Sequence, residues 1–365
     1  MTSGSHSGGK PAKPADKAPA KAPASPAKAA GTTPPAPATN EGELIPAPLS
    51  LGTRLMAWWE GYDLSGIKIH KKKGEEDGRD NAQHGSSGGH GSGDEAASGV
   101  PQPGMNRFNK PLWSATRIEV VEKLWGTGFV TPGGVDFVPE LVRPLGLNPA
   151  MTVLDLSAGL GGTTRTMAGQ FGAWVTGLET TPNLALEGMQ RSIKAGMAKQ
   201  APIDLYDPEN FSYPKRVDAV FAKEAFYTVT NKDGLFDAVE RVLKPRGQVL
   251  FTDYILPNAG GTNNPTIKAW AAREPLEPKL WTLAQMVNAL TQRNLDVRIN
   301  EDITDKYRHM ILKSLQDFTG HIGKYVMDHE TKSNVMEEIE LWAFREKALH
   351  SGLLCCRFYA LKPGE

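Results

Sequence analysis

Val153-Leu-Asp-Leu-Ser-Ala-Gly-Leu-Gly-Gly-Thr-Thr-Arg165 is the stretch from which the fold of this chain is read. An apolar run leads as a strand into Asp155, a glycine-rich turn follows, and Thr163 opens a helical pattern. Glycines at 159, 161 and 162 let the backbone approach a ligand more closely than a Cβ permits. The helix start beyond them presents free N–H groups to a polar or anionic ligand group. Dinucleotide folds use the same device, but here Thr164 replaces the third glycine of G-x-G-x-x-G and the motif lies mid-chain.

Further segments follow in a fixed order. Ala173-Trp-Val-Thr-Gly-Leu178 reads as a second strand ending at Glu179, 24 residues after Asp155 (179 − 155). Asp207-Pro-Glu-Asn-Phe211 comes after a third strand, and Val217-Asp-Ala-Val-Phe221 reads as the fourth. Arg241-Val-Leu-Lys-Pro-Arg-Gly247 turns into Gln248-Val-Leu-Phe-Thr-Asp-Tyr254, the fifth. Strand-like runs at 152–156, 173–178, 201–205, 217–222 and 247–254 thus alternate with helical patterns, the rhythm of a parallel doubly wound sheet. The C-terminal part adds strand-like runs at 295–300 and 353–361, with helical patterns over 303–318 and 323–349 between them.

In this order the segments resemble a class I S-adenosylmethionine (SAM) methyltransferase. The resemblance implies an α/β, Rossmann-like fold: a seven-stranded, mostly parallel sheet with helices on both faces and an antiparallel final hairpin. It implies SAM as cofactor. Glu179 has the spacing of the carboxylate that accepts the ribose hydroxyls, since an ionised carboxylate is an acceptor-only, two-oxygen partner for a diol. Asp155, Ser157, Gly159 and Gly161 belong to the turn, Thr180 and Lys223 to the strand ends, and Asp207 with Pro208 to the adenine side. Ser157 stands where relatives usually carry glycine, which narrows the turn slightly without blocking it.

Upstream, Val121-Glu-Lys-Leu-Trp-Gly-Thr-Gly-Phe-Val-Thr-Pro-Gly-Gly134 resembles the entry segment of phosphoethanolamine N-methyltransferases, which in that family folds as a lid. Similarity continues at Phe221–Phe236, Thr252–Tyr254 and Lys279–Leu283, so it covers about residues 115–363; sarcosine–dimethylglycine and sterol methyltransferases share much of this layout. The departures bear on substrate. Val121 falls where the family has a lid tyrosine and Thr228 where it has the partner histidine, so a Tyr–His pair is absent. Of the family's phosphate-facing set Tyr254 is kept, whereas Lys279 and Trp281 stand for an expected arginine and tyrosine, and Lys for Arg gives up the bidentate fork on a phosphate but keeps the charge. Phosphoethanolamine itself is therefore not the expected acceptor. The expected catalytic groups are Glu224, Tyr227 and Tyr254, with Trp125, Phe129, Phe226, Lys279 and Trp281 binding substrate. An aromatic pocket with one acid suits a cationic or amine acceptor, and methyl transfer needs chiefly that acceptor held in line in a water-poor site.

The 365 residues carry balanced charge, with 41 basic and 41 acidic side chains. That neutrality, and Ala222-Lys-Glu-Ala-Phe226 in place of an N-P-P-[FY] signature, argue against nucleic acid as substrate. Residues 1–48 are Pro, Ala, Lys, Ser and Gly, a composition too poor in core-forming side chains to order itself, and are expected to be a basic disordered tail without a secretory h-region. Leu51, Leu55, Trp58, Trp59 and Tyr62 make an amphipathic stripe over 49–70 that must dock on the domain, a partner protein or a membrane surface, with Lys71-Lys-Lys73 suited to anionic lipid. Residues 71–104 read as a Gly/Ser/charged linker, and its His84 and His90 lack the spacing of metal ligands, so no metal is expected. The catalytic domain is expected over 105–365. Cys355 and Cys356 are adjacent in a strand-like run, face opposite sides and do not pair, which suits a cytoplasmic protein with peripheral membrane contact left open. Two functions stay open: a methyltransferase acting on a small molecule or lipid headgroup, and a SAM-binding, catalytically weak scaffold.

Overall fold

The computed structural model describes residues 104–322 and 327–364; the tail, the tryptophan stripe and nearly all of the linker lie outside them. Among the described residues one sheet organises everything else. β1 (Thr152–Asp155), β2 (Trp174–Glu179), β3 (Ile203–Leu205), β4 (Val217–Lys223) and β5 (Leu243–Leu256) run parallel. β7 (Asp296–Asp302) and β8 (Leu354–Leu361) close the far edge, β8 antiparallel to both β5 and β7, giving the order β3-β2-β1-β4-β5-β8-β7. These are the seven strands the sequence implies. An eighth, β6 (Trp281–Thr282), adds two residues to β5 at Ile255 and Leu256, beyond the last β4 pair at Lys223 and Thr252. Two residues carry no periodicity, so this strand is invisible in the pattern.

The sheet is covered on both faces, and the alternation of side chains along a strand sorts the two cores. Leu250 and Cys355 belong to one, while Val249, Phe251 and Cys356 belong to the other. Both cysteines are buried free thiols. The first core receives α1 (Ala115–Trp125), α2 (Gly134–Leu141), α3 (Gly162–Phe171), α6 (Pro265–Arg273), α8 (Thr304–Ile322) and α9 (His329–His350). The second receives α5 (Lys232–Val242) and α7 (Leu283–Thr291), while α4 (Pro182–Lys194) packs beside β3. β4, buried almost throughout, has the continuous apolar run of a central parallel strand. Edge strand β7 alternates and is charged, which discourages further pairing.

Helix boundaries follow local chemistry. Ser114 caps α1 by accepting from the Arg117 N–H at 3.1 Å, and Thr282 with Gln285 forms a reciprocal capping box at the start of α7. Near the start of β5, Arg246 adopts φ +62°, a left-handed conformation at the position where the resembling motif carries glycine. No described helix is long and apolar enough to cross a membrane.

Candidate active site

At the C-terminal ends of β1, β2, β4 and β5 lies a cleft of about 380 Å³, where open α/β sheets place ligands. On one side the glycine-rich turn is held by two buried acids. Asp155 accepts from the Ser157 N–H (3.0 Å) and Oγ (2.9 Å) on Oδ1, and from Thr164 Oγ1 (2.7 Å) on Oδ2. Burial pushes its carboxyl up, and the hydroxyls of Thr164 and Ser157 oppose that. Ser157 Oγ also accepts from the Lys223 N–H at 2.8 Å, so this departure from glycine ties β1 to the end of β4. Glu179 faces the cleft: Oε2 accepts from Gly159 N–H (2.8 Å), and Oε1 from Thr181 N–H (2.9 Å) and Thr180 Oγ1 (3.3 Å). Burial raises its carboxyl too, with the Thr181 and Gly159 amides opposing. Gly159 and Gly161 sit at φ +52° and +79°, which explains their identity.

Of the other expected cofactor residues, Ser157, Thr180, Pro208 and Lys223 line the cleft. Asp155 and Gly161 lie behind it, and Asp207 spends its carboxylate on the following turn, through Glu209 N–H (2.9 Å) and Asn210 Nδ2 (2.7 Å). Pro208 and Glu209 form the wall there instead.

Residues 126–133 roof the cleft. The Gly128 N–H donates to Glu122 Oε1 (2.7 Å), and Glu122 Oε2 pairs with Arg191 of α4 (2.8 Å). Lys223 Nζ reaches up to Thr131 Oγ1 (2.6 Å) and the Pro132 carbonyl (2.7 Å). Phe129 lines the cleft, whereas Trp125 packs edge-on against Trp342 at 4.5 Å in the core.

The acceptor side begins at Glu224, whose φ of +46° is costly for a residue with a Cβ, of order 1–3 kcal/mol. Thr252 holds it twice: its carbonyl accepts the Glu224 N–H (2.8 Å) and its Oγ1 donates to Oε1 (2.8 Å). Oε2 is buried without a hydrogen-bond partner, 3.5 Å from Lys223 Nζ. The buried hydroxyls of Tyr254 and Tyr307 are likewise unpartnered. Tyr227 packs on Tyr254 at 5.0 Å, and burial pushes the phenols of Tyr227, Tyr254 and Tyr307 up, so all stay protonated.

Four expected substrate residues lie elsewhere, Trp125 among them in the core, and the sequence expectation needs correcting there. Phe226 points to the opposite sheet face, between Phe236 (5.4 Å) and Phe251 (5.2 Å). Trp281 stacks on Phe236 at 6.2 Å, and Lys279 pairs with Glu277 at the surface. In the turn after β4, Tyr227 lines the cleft while Phe226 enters the core on the other side of the sheet. Val121 is a core residue and Thr228 lines the cleft, so the two do not form an acid–base pair.

Several cleft residues were not legible beforehand. Glu274 accepts from Arg345 Nε (2.6 Å) and Nη2 (2.7 Å), from Trp270 Nε1 (2.5 Å) and from Tyr227 Oη (3.3 Å). Arg345 lies over the Trp342 ring at 4.3 Å, and Arg117 pairs with Glu338 at 2.5 Å. The available signal was the spacing of Glu338, Trp342 and Arg345 on one face of α9, charges at i and i+7 flanking an aromatic. Beneath the loop, buried Asp253 accepts the Tyr227 (3.1 Å) and Tyr254 (3.0 Å) N–H groups on Oδ1. Burial pushes its carboxyl up to about 8 and the Lys232 ammonium down to about 8. Among the described residues no cluster of His, Cys, Asp or Glu is placed to hold a metal.

Residues 138–338 match the family described as mycolic acid cyclopropane synthetase, more than half of the chain. Phosphoethanolamine N-methyltransferase 1 of Zea mays is 32% identical over 143 residues, 39% of this chain and 28% of that protein. Phosphoethanolamine N-methyltransferase 2 of Caenorhabditis elegans is 26% identical over 240 residues, 64% of this chain and 52% of that protein. The chain thus spans about half the length, or less, of these relatives. Haemonchus contortus phosphoethanolamine N-methyltransferase 2, solved with phosphomonomethylethanolamine and S-adenosylhomocysteine, superposes with a TM-score of 0.60 at 22% identity, covering 69% of this chain and 59% of that one. That likeness establishes the common fold.

Proposed function

The chain belongs to the mycolic acid cyclopropane synthetase family, and from that premise we propose that it is a SAM-dependent methyltransferase acting on an amine of a small molecule or lipid headgroup. The observation that carries this reading is one cleft with two chemically different ends. Glu179 and the Ser157–Gly161 turn form a polar cradle at one end; Glu224 with an unpartnered buried oxygen stands among aromatic rings at the other.

Glu179 and the turn would hold SAM, with Pro208 and Glu209 along its side. Bound SAM supplies a methyl group on a sulfonium, a good leaving group. The chain's own residues do the rest. Tyr227, Tyr254 and Trp342 line this end with aromatic rings, whose faces attract an ammonium. Glu224 Oε2 accepts the proton that a protonated amine must lose before it can act as a nucleophile. The 126–133 roof, fastened by Lys223, excludes water and holds the acceptor near the methyl. The same reading has the protein cytoplasmic, with residues 49–73 as its contact to a partner protein or membrane surface.

The test is S-adenosylhomocysteine formation by the full chain against a panel of ethanolamines, glycine derivatives and lipid headgroup amines. Turnover of at least one amine is expected. Tight SAM binding with no turnover across the panel would favour the scaffold reading instead.

A further inference from the structure

The cleft lining carries its own counter-ions, and this decides what the acceptor end can hold. Three cations line it, Arg117, Lys223 and Arg345, against five carboxyl groups. Each cation is matched to a lining carboxylate: Arg117 to Glu338 (2.5 Å), Lys223 to Glu224 (3.5 Å), Arg345 to Glu274 (2.6 Å). Further donors of two of these cations are engaged as well. Arg117 Nη1 donates to the Leu112 carbonyl, and Lys223 Nζ to Thr131 and Pro132. Glu179 and Glu209 remain with no cation, accepting only from amides and a hydroxyl.

Arg345 decides the matter. Nε and Nη2 meet both oxygens of Glu274, the forked geometry a guanidinium offers to a carboxylate or a phosphate. Glu274 is almost fully buried and further fixed by Trp270 Nε1 and Tyr227 Oη. The fork is therefore already filled by an anion built into the protein. A phosphomonoester entering here would meet no cation without a carboxylate partner, and the Tyr254 hydroxyl alone would replace little of the hydration its charge gives up. An ammonium would meet Glu224, whose Oε2 accepts no hydrogen bond and lies 3.5 Å from Lys223 Nζ, and the rings of Tyr227, Tyr254 and Trp342.

We propose that Glu274 is a specificity-determining residue: by occupying the Arg345 fork it makes the acceptor end take an amine that bears no phosphate and reject phosphorylated amines. This rests on the methyltransferase reading of the same cleft and narrows its substrate class.

Calorimetric titration of the full chain with N-methylethanolamine and with phosphoethanolamine, each with and without S-adenosylhomocysteine, tests it. The amine should bind at least tenfold tighter than the phosphorylated compound. In Glu274→Gln the freed fork should raise phosphoethanolamine affinity at least tenfold, and in Glu274→Gln with Arg345→Met that gain should vanish. If Glu274→Gln folds poorly, the wild-type comparison of the two compounds still decides the proposal. Equal affinity of the wild type for both compounds, or no gain in a folded Glu274→Gln, would overturn the proposal. Failure of S-adenosylhomocysteine to bind would instead overturn the cofactor reading, and the comparison on the free protein would still decide this one.

Discussion

Gly162 and Gly128 meet backbone to backbone: the Gly162 N–H donates to the Gly128 carbonyl at 2.9 Å, and a Cβ on Gly162 would stand 2.4 Å from that oxygen. The start of the cofactor-side helix and the roof of the cleft are thereby one mechanical unit. Gly162→Ala must push them apart, since the atom it meets is backbone. We expect a loss of about 1–3 kcal/mol in stability, the usual range for overpacking, together with weaker S-adenosylhomocysteine binding. Thermal melts with and without that ligand check this. A variant that melts and binds like the wild type would mean the roof swings free of the turn.

Glu179 is predicted to matter to the ligand and to the turn together, because its two oxygens already hold the Gly159 and Thr181 amides. Glu179→Ala should weaken SAM at least tenfold, as a lost charged hydrogen bond costs about 1.5–3 kcal/mol. It should also lower the melting temperature of the ligand-free protein, because two amides lose their acceptor. Glu179→Gln keeps one acceptor oxygen and should recover most of the stability but not the affinity. Calorimetry showing unchanged SAM affinity in Glu179→Ala would remove this residue from the ribose.

The contrast between what was legible and what was not follows from range. The Asp155–Arg165 turn and the Glu179 spacing are local, so one stretch of chain specifies both the shape and the residues that make it. Strand alternation likewise placed Cys355 and Cys356 on opposite faces. The acceptor end is assembled instead from β4, β5, α6 and α9, and the Glu274–Arg345 pair joins residues 71 positions apart. The helical pattern over 323–349 points to a helix there, but it does not say which face of it meets the cleft. Phe226 and Trp281 were misplaced for a related reason. An aromatic beside a strand end is equally suited to core and pocket, and only the direction of its Cβ decides.

Asp253 gives the chain a pH-dependent stability. Burial raises its carboxyl from an ordinary 3.8 to about 8, while burial lowers Lys232 from 10.5 to about 8. Between roughly pH 4 and 8 the unfolded chain has released the Asp253 proton that the folded chain retains, so this contribution to stability falls as pH rises. Between about pH 8 and 10.5 the unfolded chain holds a Lys232 proton that the folded chain lacks, so stability recovers with pH. Asp253→Asn mimics the protonated acid and keeps an oxygen for the Tyr227 and Tyr254 amides. Its melting temperature should match the wild type near pH 5 and exceed it increasingly toward pH 8. A constant difference across that range would show that Asp253 is ionised in the folded protein.

Glu224 is the residue on which the proposed chemistry turns, and its substitution separates chemistry from architecture. Oε1 is engaged by Thr252, whereas Oε2 is buried, accepts no hydrogen bond and lies 3.5 Å from Lys223 Nζ. Glu224→Gln preserves the side-chain shape and an oxygen for Thr252, but replaces the free oxygen by an amide that accepts no proton. If Glu224 takes the proton of an incoming ammonium, kcat should fall about 10²-fold or more, the usual worth of a positioned base. S-adenosylhomocysteine affinity should stay within a factor of about three, because the substitution leaves the Glu179 side of the cleft untouched. Raising the pH to supply free amine should restore part of the lost rate, since the substrate then arrives already deprotonated. A variant with unchanged kcat at neutral pH would show that the acceptor reaches the cleft uncharged and that Glu224 serves only to shape the end of β4.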